Sequence, residues 1–123
     1  MTSVLAVDDS PSMRQMIAAT LRAAGCRVIE AADGAEALAR LADSPVDVVI
    51  TDQNMPGIDG LELIRTVRAD PAKSRLPVLI LTTEEDERIK QAARAAGATG
   101  WLHKPFDPER LVQVVHKVAQ PRS

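Results

Sequence analysis

The stretch Val46-Asp47-Val48-Val49-Ile50-Thr51-Asp52-Gln53-Asn54-Met55-Pro56-Gly57 sets the strongest limit on what this chain can fold into. A β-branched run ends in an aspartate, and a polar turn with proline and glycine follows at once. A run bounded in this way reads as a strand buried on both faces. Strands of that kind belong to parallel sheets covered by helices. In such sheets ligands bind beyond the carboxyl ends of the strands. Asp52 therefore stands where chemistry is expected, although a helix cap or a turn would use an aspartate there equally well.

The same grammar repeats along the chain. Val4-Leu5-Ala6-Val7 is a buried strand ending at Asp8-Asp9, and Ser10-Pro11 is a helix start. Met13, Met16, Ile17, Thr20 and Leu21 follow at helical spacing, and Gly25 ends the helix. Arg27–Ala31 alternates like a half-buried strand. Asp33 with Glu36 forms a capping box before a helix over 35–42, whose Ala37, Leu38 and Leu41 share a face. After the central strand, Asp59 with Glu62 opens a third helix with Leu61, Ile64 and Val67 inward, and Ala69-Asp70-Pro71 ends it. Leu76–Leu81 is the fourth strand, ending at Thr82-Thr83. The acidic run Glu84-Glu85-Asp86-Glu87 opens the fourth helix, where it complements the helix dipole. Trp101-Leu102-His103 is a short fifth strand. Asp107-Pro108 starts the last helix, with Leu111, Val114, Val115 and Val118 inward.

Five strands alternating with five helices predict an α/β doubly wound parallel sheet, (βα)5, with right-handed crossovers and the strand order 2-1-3-4-5. The 123 residues suit one domain over 1–120, with a short tail at 121–123. Hydrophobic residues make up 46%, enough for one core, but aromatics are scarce, so Val, Leu, Ile and Ala must fill it. A net charge of −2 with interspersed signs implies no nucleic-acid or membrane partner. The single cysteine, Cys26, rules out an internal disulfide and reads as buried and inert. With no signal-peptide pattern and no long apolar run, the cytoplasm is the expected location.

That strand order brings the strand ends together: Asp8 and Asp9, then Asp52, then Thr82 and Thr83, then Lys104. Clustered carboxylates repel and raise one another's pKa unless a cation compensates. A few oxygen donors suit Mg²⁺, which keeps several waters. Asp9 and Asp52 are the expected direct ligands, Asp8 acts through water, and the backbone carbonyl of Asn54 completes the set. A phosphoryl group can then reach Asp52, since carboxylates form aspartyl phosphates. Lys104 would pair with a phosphoryl oxygen and the Thr82 hydroxyl would donate to another. Singly, each has a plain structural use: Asp9 or Thr82 as a helix cap, Lys104 as a surface lysine. Four strand ends with complementary groups are much harder to assign to chance.

Val7-Asp8-Asp9-Ser10, the run from Thr51 to Gly60, Leu81-Thr82-Thr83 and Lys104-Pro105-Phe106 together resemble the receiver domain of two-component response regulators, from end to end. The resemblance implies the flavodoxin-like version of this fold. It implies Asp52 as phosphoacceptor, Asp8 and Asp9 as the acidic pair around Mg²⁺, Thr82 as switch hydroxyl, Lys104 as phosphate-binding lysine, and a cis Lys104-Pro105 bond. It also implies phosphorylation from a phosphohistidine on a sensor histidine kinase and hydrolysis of the aspartyl phosphate. No turnover of an external substrate is expected, only catalysis of the chain's own phosphorylation and dephosphorylation. Within the family, the runs 54–63 and 97–101 are most similar to stand-alone chemotaxis regulators of the CheY type. The partners implied are a CheA-like kinase, the flagellar motor switch protein or another output protein, and a phosphatase, with the chain itself a monomer. Asn54 and Glu84 occupy the two positions that modulate dephosphorylation. With nothing expected after the domain, output would come from its helix 4–strand 5–helix 5 face.

One position departs from the family pattern: the aromatic switch residue, usually Tyr or Phe, is Trp101. Its ring can still move with Thr82, but no hydroxyl takes part; as an alternative, Trp101 is a fixed anchor on the strand. His103, two residues on, falls on the same side and reads either as part of a partner face or as an ordinary exposed histidine. A haloacid-dehalogenase-type phosphatase would want an aspartate at position 54, where Asn54 stands. A flavodoxin would not place Asp8-Asp9 against a flavin phosphate. A phosphorelay or developmental receiver, and an unphosphorylated pseudo-receiver, remain as rivals.

Overall fold

Polar caps set the starts of four helices. The Ser10 hydroxyl accepts the Met13 N–H, Asp33 accepts that of Glu36, Asp59 that of Glu62 and Asp107 that of Glu109. Each satisfies a donor that the first turn leaves open, worth about 1 kcal/mol. The Asp33 box closes one residue early, since Glu36 reaches back to the N–H of Ala32. At the end of the first helix, Cys26 N–H bonds to Leu21 C=O and Gly25 N–H to Arg22 C=O. This turn needs a left-handed residue, and Gly25 supplies it with φ of 90°.

The computed structural model describes residues 1–83 and 87–119. Its elements are β1 (Ser3–Val7), α1 (Pro11–Ala23), β2 (Arg27–Ala31), α2 (Gly34–Asp43), β3 (Val48–Asp52) and α3 (Gly60–Ala69), then a 3-10 turn (Pro71–Lys73), β4 (Val78–Thr82), α4 (Glu87–Ala96), β5 (Gly100–His103) and α5 (Pro108–Val118). All strand pairs are parallel, in the order β2-β1-β3-β4-β5. The expected α/β architecture and strand order are those observed. Two strands start later than their apolar runs. Asp47 is used ahead of β3, its carboxylate accepting the Ser3 N–H at 2.7 Å. Pro77 has no N–H to give a ladder, so β4 begins after it.

The sheet separates two apolar layers. Val4, Ala6, Ile50, Leu79 and Leu81 pack under α1 and α5, while Leu5, Val7, Val49, Val78 and Ile80 face α2, α3 and α4. Every residue of β3 and β4 is buried. At about 1.5–3 kcal/mol per buried aliphatic side chain, these central strands are the firmest support available for groups at their ends. Met16 departs from the sequence reading: it points outward, 56% exposed, and Ala18 lies inside with Ile17 and Leu21. Cys26 is buried, and that burial pushes its thiol pKa up. No described helix is long and apolar enough to cross a membrane. The expected helix start at 84–86 and the tail at 121–123 lie outside the described residues.

Candidate functional site

Parallel pairing brings the strand ends to one edge. Val7 lies beside Thr51, Asp52 beside Leu81, and Thr82 beside His103. Asp8, Asp9 and Asp52 each present a carboxylate oxygen within 4.8 Å of the others. Asp8 is fully buried and Asp52 is 7% exposed, while Asp9 opens to solvent. Lys104 follows β5, and its Nζ lies 3.1 Å from Asp8 Oδ2 and 3.1 Å from Asp52 Oδ1. Thr82, 2% exposed, ends β4 at the same edge.

Burial pushes the Asp52 carboxyl above the ordinary aspartate range. The charge on Asp8 adds to the rise, and Lys104 and the Asn54 N–H offset part of it. Burial alone would pull the Lys104 ammonium down. Its hydrogen bonds and charge contacts with Asp8 and Asp52 outweigh that and hold it above the ordinary lysine range. Three carboxylates against one ammonium leave net negative charge in a half-enclosed place. Hard oxygen donors at this separation fit a small divalent cation such as Mg²⁺.

The loop after Asp52 is held from two sides. Gly60 N–H donates to Gln53 C=O at 3.1 Å, and Leu61 N–H donates to Gln53 Oε1 at 3.1 Å. Gln53 is buried and acts as an extra cap on α3. Nothing in its sequence position signals this, because glutamine is not a usual capping residue. Gly60 is needed for space: a Cβ there would lie 2.7 Å from Asp52 C=O. Asn54, two residues after Asp52, is exposed, and its N–H reaches the Asp52 carboxylate.

Away from the carboxylates, Trp101 is half-buried on the α4 side of the sheet, packed on the apolar layer there. Lys90 Nζ lies 5.8 Å and Arg94 Cζ 5.6 Å from its ring centroid. His103 is exposed at the end of β5. The Lys104-Pro105 bond is cis, as the resemblance implied. Of the residues singled out from sequence, Asp8, Asp9, Asp52 and Lys104 come together, with Thr82 at the same edge. Trp101 and His103 stand on the neighbouring strand, and Glu84 lies outside the described residues. Arg14, whose guanidinium reaches the Asp8 carbonyl at 2.6 Å, escaped the sequence reading.

The family model described as the response regulator receiver domain matches residues 4–116. The chemotaxis protein CheY of Pseudomonas aeruginosa is 41% identical over 117 residues, which are 94% of each chain. The structure of Vibrio cholerae chemotaxis protein CheY4 superposes with a TM-score of 0.92 at 49% identity, covering 96% of this chain and 98% of that one. The receiver domain of a Pseudomonas aeruginosa sensor histidine kinase, described with a magnesium ion coordinated in its active-site cleft, superposes with a TM-score of 0.88 at 29% identity. It covers 96% of this chain and 97% of that one.

Proposed function

The chain belongs to the response regulator receiver domain family, and from that premise we propose that Asp52 accepts a phosphoryl group from a sensor histidine kinase with the help of Mg²⁺. Its setting is phosphorylation-based two-component signalling, as for its CheY relatives. The observation that carries the proposal is Lys104 Nζ at 3.1 Å from both Asp8 and Asp52, inside a group of three carboxylates.

Asp8, Asp9 and Asp52, with the backbone carbonyl of Asn54, would hold the ion. When bound, Mg²⁺ supplies the positive charge that lets an anionic phosphoryl group approach a carboxylate. A carboxylate oxygen of Asp52 attacks phosphorus as the P–N bond of the kinase phosphohistidine breaks, and the imidazole nitrogen leaves with the electron pair. Lys104 exchanges a carboxylate contact for a phosphoryl oxygen, and the Thr82 hydroxyl donates to another. Hydrolysis follows when water attacks phosphorus, releasing inorganic phosphate and restoring the carboxylate. Asn54 and Glu84 would set how fast that water arrives.

Phosphorylation would draw Thr82 inward, and Trp101 would follow. The α4–β5–α5 face, with Trp101 and His103, would shift towards its partner-binding state. Resemblance to chemotaxis proteins supports the flagellar motor switch protein as that partner, in the cytoplasm.

The test is intact mass after incubation with Mg²⁺ and a small phosphodonor. Wild type gains one phosphoryl group and Asp52→Asn gains none. A folded wild type that gains nothing would leave only a partner-binding role.

A further inference from the structure

Arg14 sits in the first turn of α1, where its N–H closes onto the Ser10 carbonyl at 2.9 Å. Its Nη1 donates to the main-chain carbonyl of Asp8 at 2.6 Å, and its Nε donates to Glu30 Oε1 at 3.3 Å. Glu30, on β2, also takes Arg22 Nη2 at 3.5 Å. The Arg14 side chain is only 18% exposed. It is therefore a tethered fork, not a loose surface cation.

The carbonyl that Arg14 holds belongs to the peptide unit joining Asp8 to Asp9. Each other polar group of Asp8 is also held. Its N–H donates to Ala31 C=O at 3.1 Å. Its Oδ1 accepts the Ser10 N–H at 2.9 Å, and its Oδ2 meets Lys104. Fixing the carbonyl fixes the peptide plane, and with it the direction in which the exposed Asp9 carboxylate leaves the chain. Without that brace, repulsion within the acidic group would favour turning Asp9 away into water.

We propose that Arg14, held in place by Glu30, is a positioning residue for the divalent-cation site, keeping the Asp8–Asp9 turn in its ion-binding shape. This rests on reading the three carboxylates as that site. A plain electrostatic role predicts the opposite sign. A nearby positive charge repels a cation, so its removal would tighten binding.

The experiment is isothermal titration calorimetry with Mg²⁺ alone on wild type, Arg14→Met, Arg14→Lys, Glu30→Gln and the Arg14→Met/Glu30→Gln double variant. Melting curves without Mg²⁺ accompany it. Arg14→Met should weaken binding by about tenfold, the scale seen for groups that orient metal ligands. Arg14→Lys, which keeps a donor but loses the fork, should recover part of the loss. Glu30→Gln should weaken binding less, and should add nothing to Arg14→Met, because the two act as one unit. Unchanged or tighter binding in folded Arg14→Met would overturn the proposal, as would a lower melting point with wild-type Mg²⁺ affinity. Should Arg14→Met fail to fold, Arg14→Lys and Glu30→Gln decide, and wild-type affinity in both overturns it. A wild type that binds no Mg²⁺ would instead remove the reading of the site itself.

Discussion

The main-chain N–H of Lys104 donates to the carbonyl of Thr82 at 3.0 Å. The residue that would bind the phosphoryl group and the residue that would sense it thus share a peptide hydrogen bond at the ends of β4 and β5. A displacement of Thr82 would act through this bond on the start of the Lys104-Pro105 turn, with β4 standing between β5 and the strand that ends at Asp52. Trp101 lies three residues before Lys104 on the same segment, so a shift at Lys104 would have a short covalent path to the α4–β5 face.

Lys104→Met would leave two buried carboxylates facing each other without their cation. Removing one partner of a buried pair costs about 3–5 kcal/mol, so the metal-free protein should unfold at clearly lower denaturant. Mg²⁺ should restore more stability to this variant than to wild type, since added stability follows the affinity of the folded state. Urea unfolding with and without Mg²⁺ reads both effects. Equal Mg²⁺ gains in the two proteins would contradict the charge argument.

Asp52 should give a characteristic pH dependence of stability in the absence of metal. Its folded-state pKa is raised, chiefly by burial. An acid raised on folding contributes stability that is fully present below its unfolded pKa and is lost as pH rises through its folded pKa. At neutral pH the ionised group is therefore a burden on the fold. Asp52→Asn should melt higher than wild type at neutral pH, and the difference should shrink as pH falls through the folded Asp52 pKa. Melting curves across mildly acidic to neutral pH test this. A variant less stable than wild type at neutral pH would show that the Lys104 contact outweighs burial.

Trp101 should report the switch, and its two cations should bias it. A cation over an indole at a partly exposed site is worth about 0.5–1 kcal/mol. Lys90→Met or Arg94→Met should each shift the ring equilibrium away from the observed position by roughly two- to fivefold. Trp101 is the only tryptophan, so its emission should change on phosphorylation. Part of that change should already be present in the unphosphorylated variants. Identical spectra in wild type and both variants would mean that the ring is a fixed anchor.

Gly60→Ala should disturb the site from beneath. The new Cβ would sit 2.7 Å from Asp52 C=O and 2.9 Å from Gln53 Oε1, and the nearer of these is a main-chain atom at the end of the fully buried strand β3. Overpacking of this kind costs about 1–3 kcal/mol. The phosphorylation rate from a small donor should fall as well, because the displaced atoms belong to Asp52 itself. A rate equal to wild type in a destabilised variant would separate the loop from the chemistry.

Much of this protein is legible in its sequence. Caps at Ser10, Asp33, Asp59 and Asp107, and buried β-branched runs ending in Asp or Thr, mark the elements locally. Local signals survive in sequence because the interacting atoms lie within a few residues of one another. The amphipathic reading of α1 failed at Met16, at the edge of the apolar stripe, because the helix turns Ala18 rather than Met16 into the layer with Ile17 and Leu21.

The sequence alone determined the alternation of strands and helices, the placement of acids, threonine and lysine at strand ends, and through them the family. Backbone periodicity and turn chemistry are short-range properties, and the topological rules for parallel sheets do the rest. Tertiary structure alone decided that one ammonium stands 3.1 Å from two carboxylates. It also decided that Gln53 caps α3, that Arg14 braces the Asp8 carbonyl, and that Lys90 and Arg94 flank Trp101. These contacts depend on rotamers and strand twist, and on side chains meeting main-chain atoms across the fold. No spacing pattern along the chain records them.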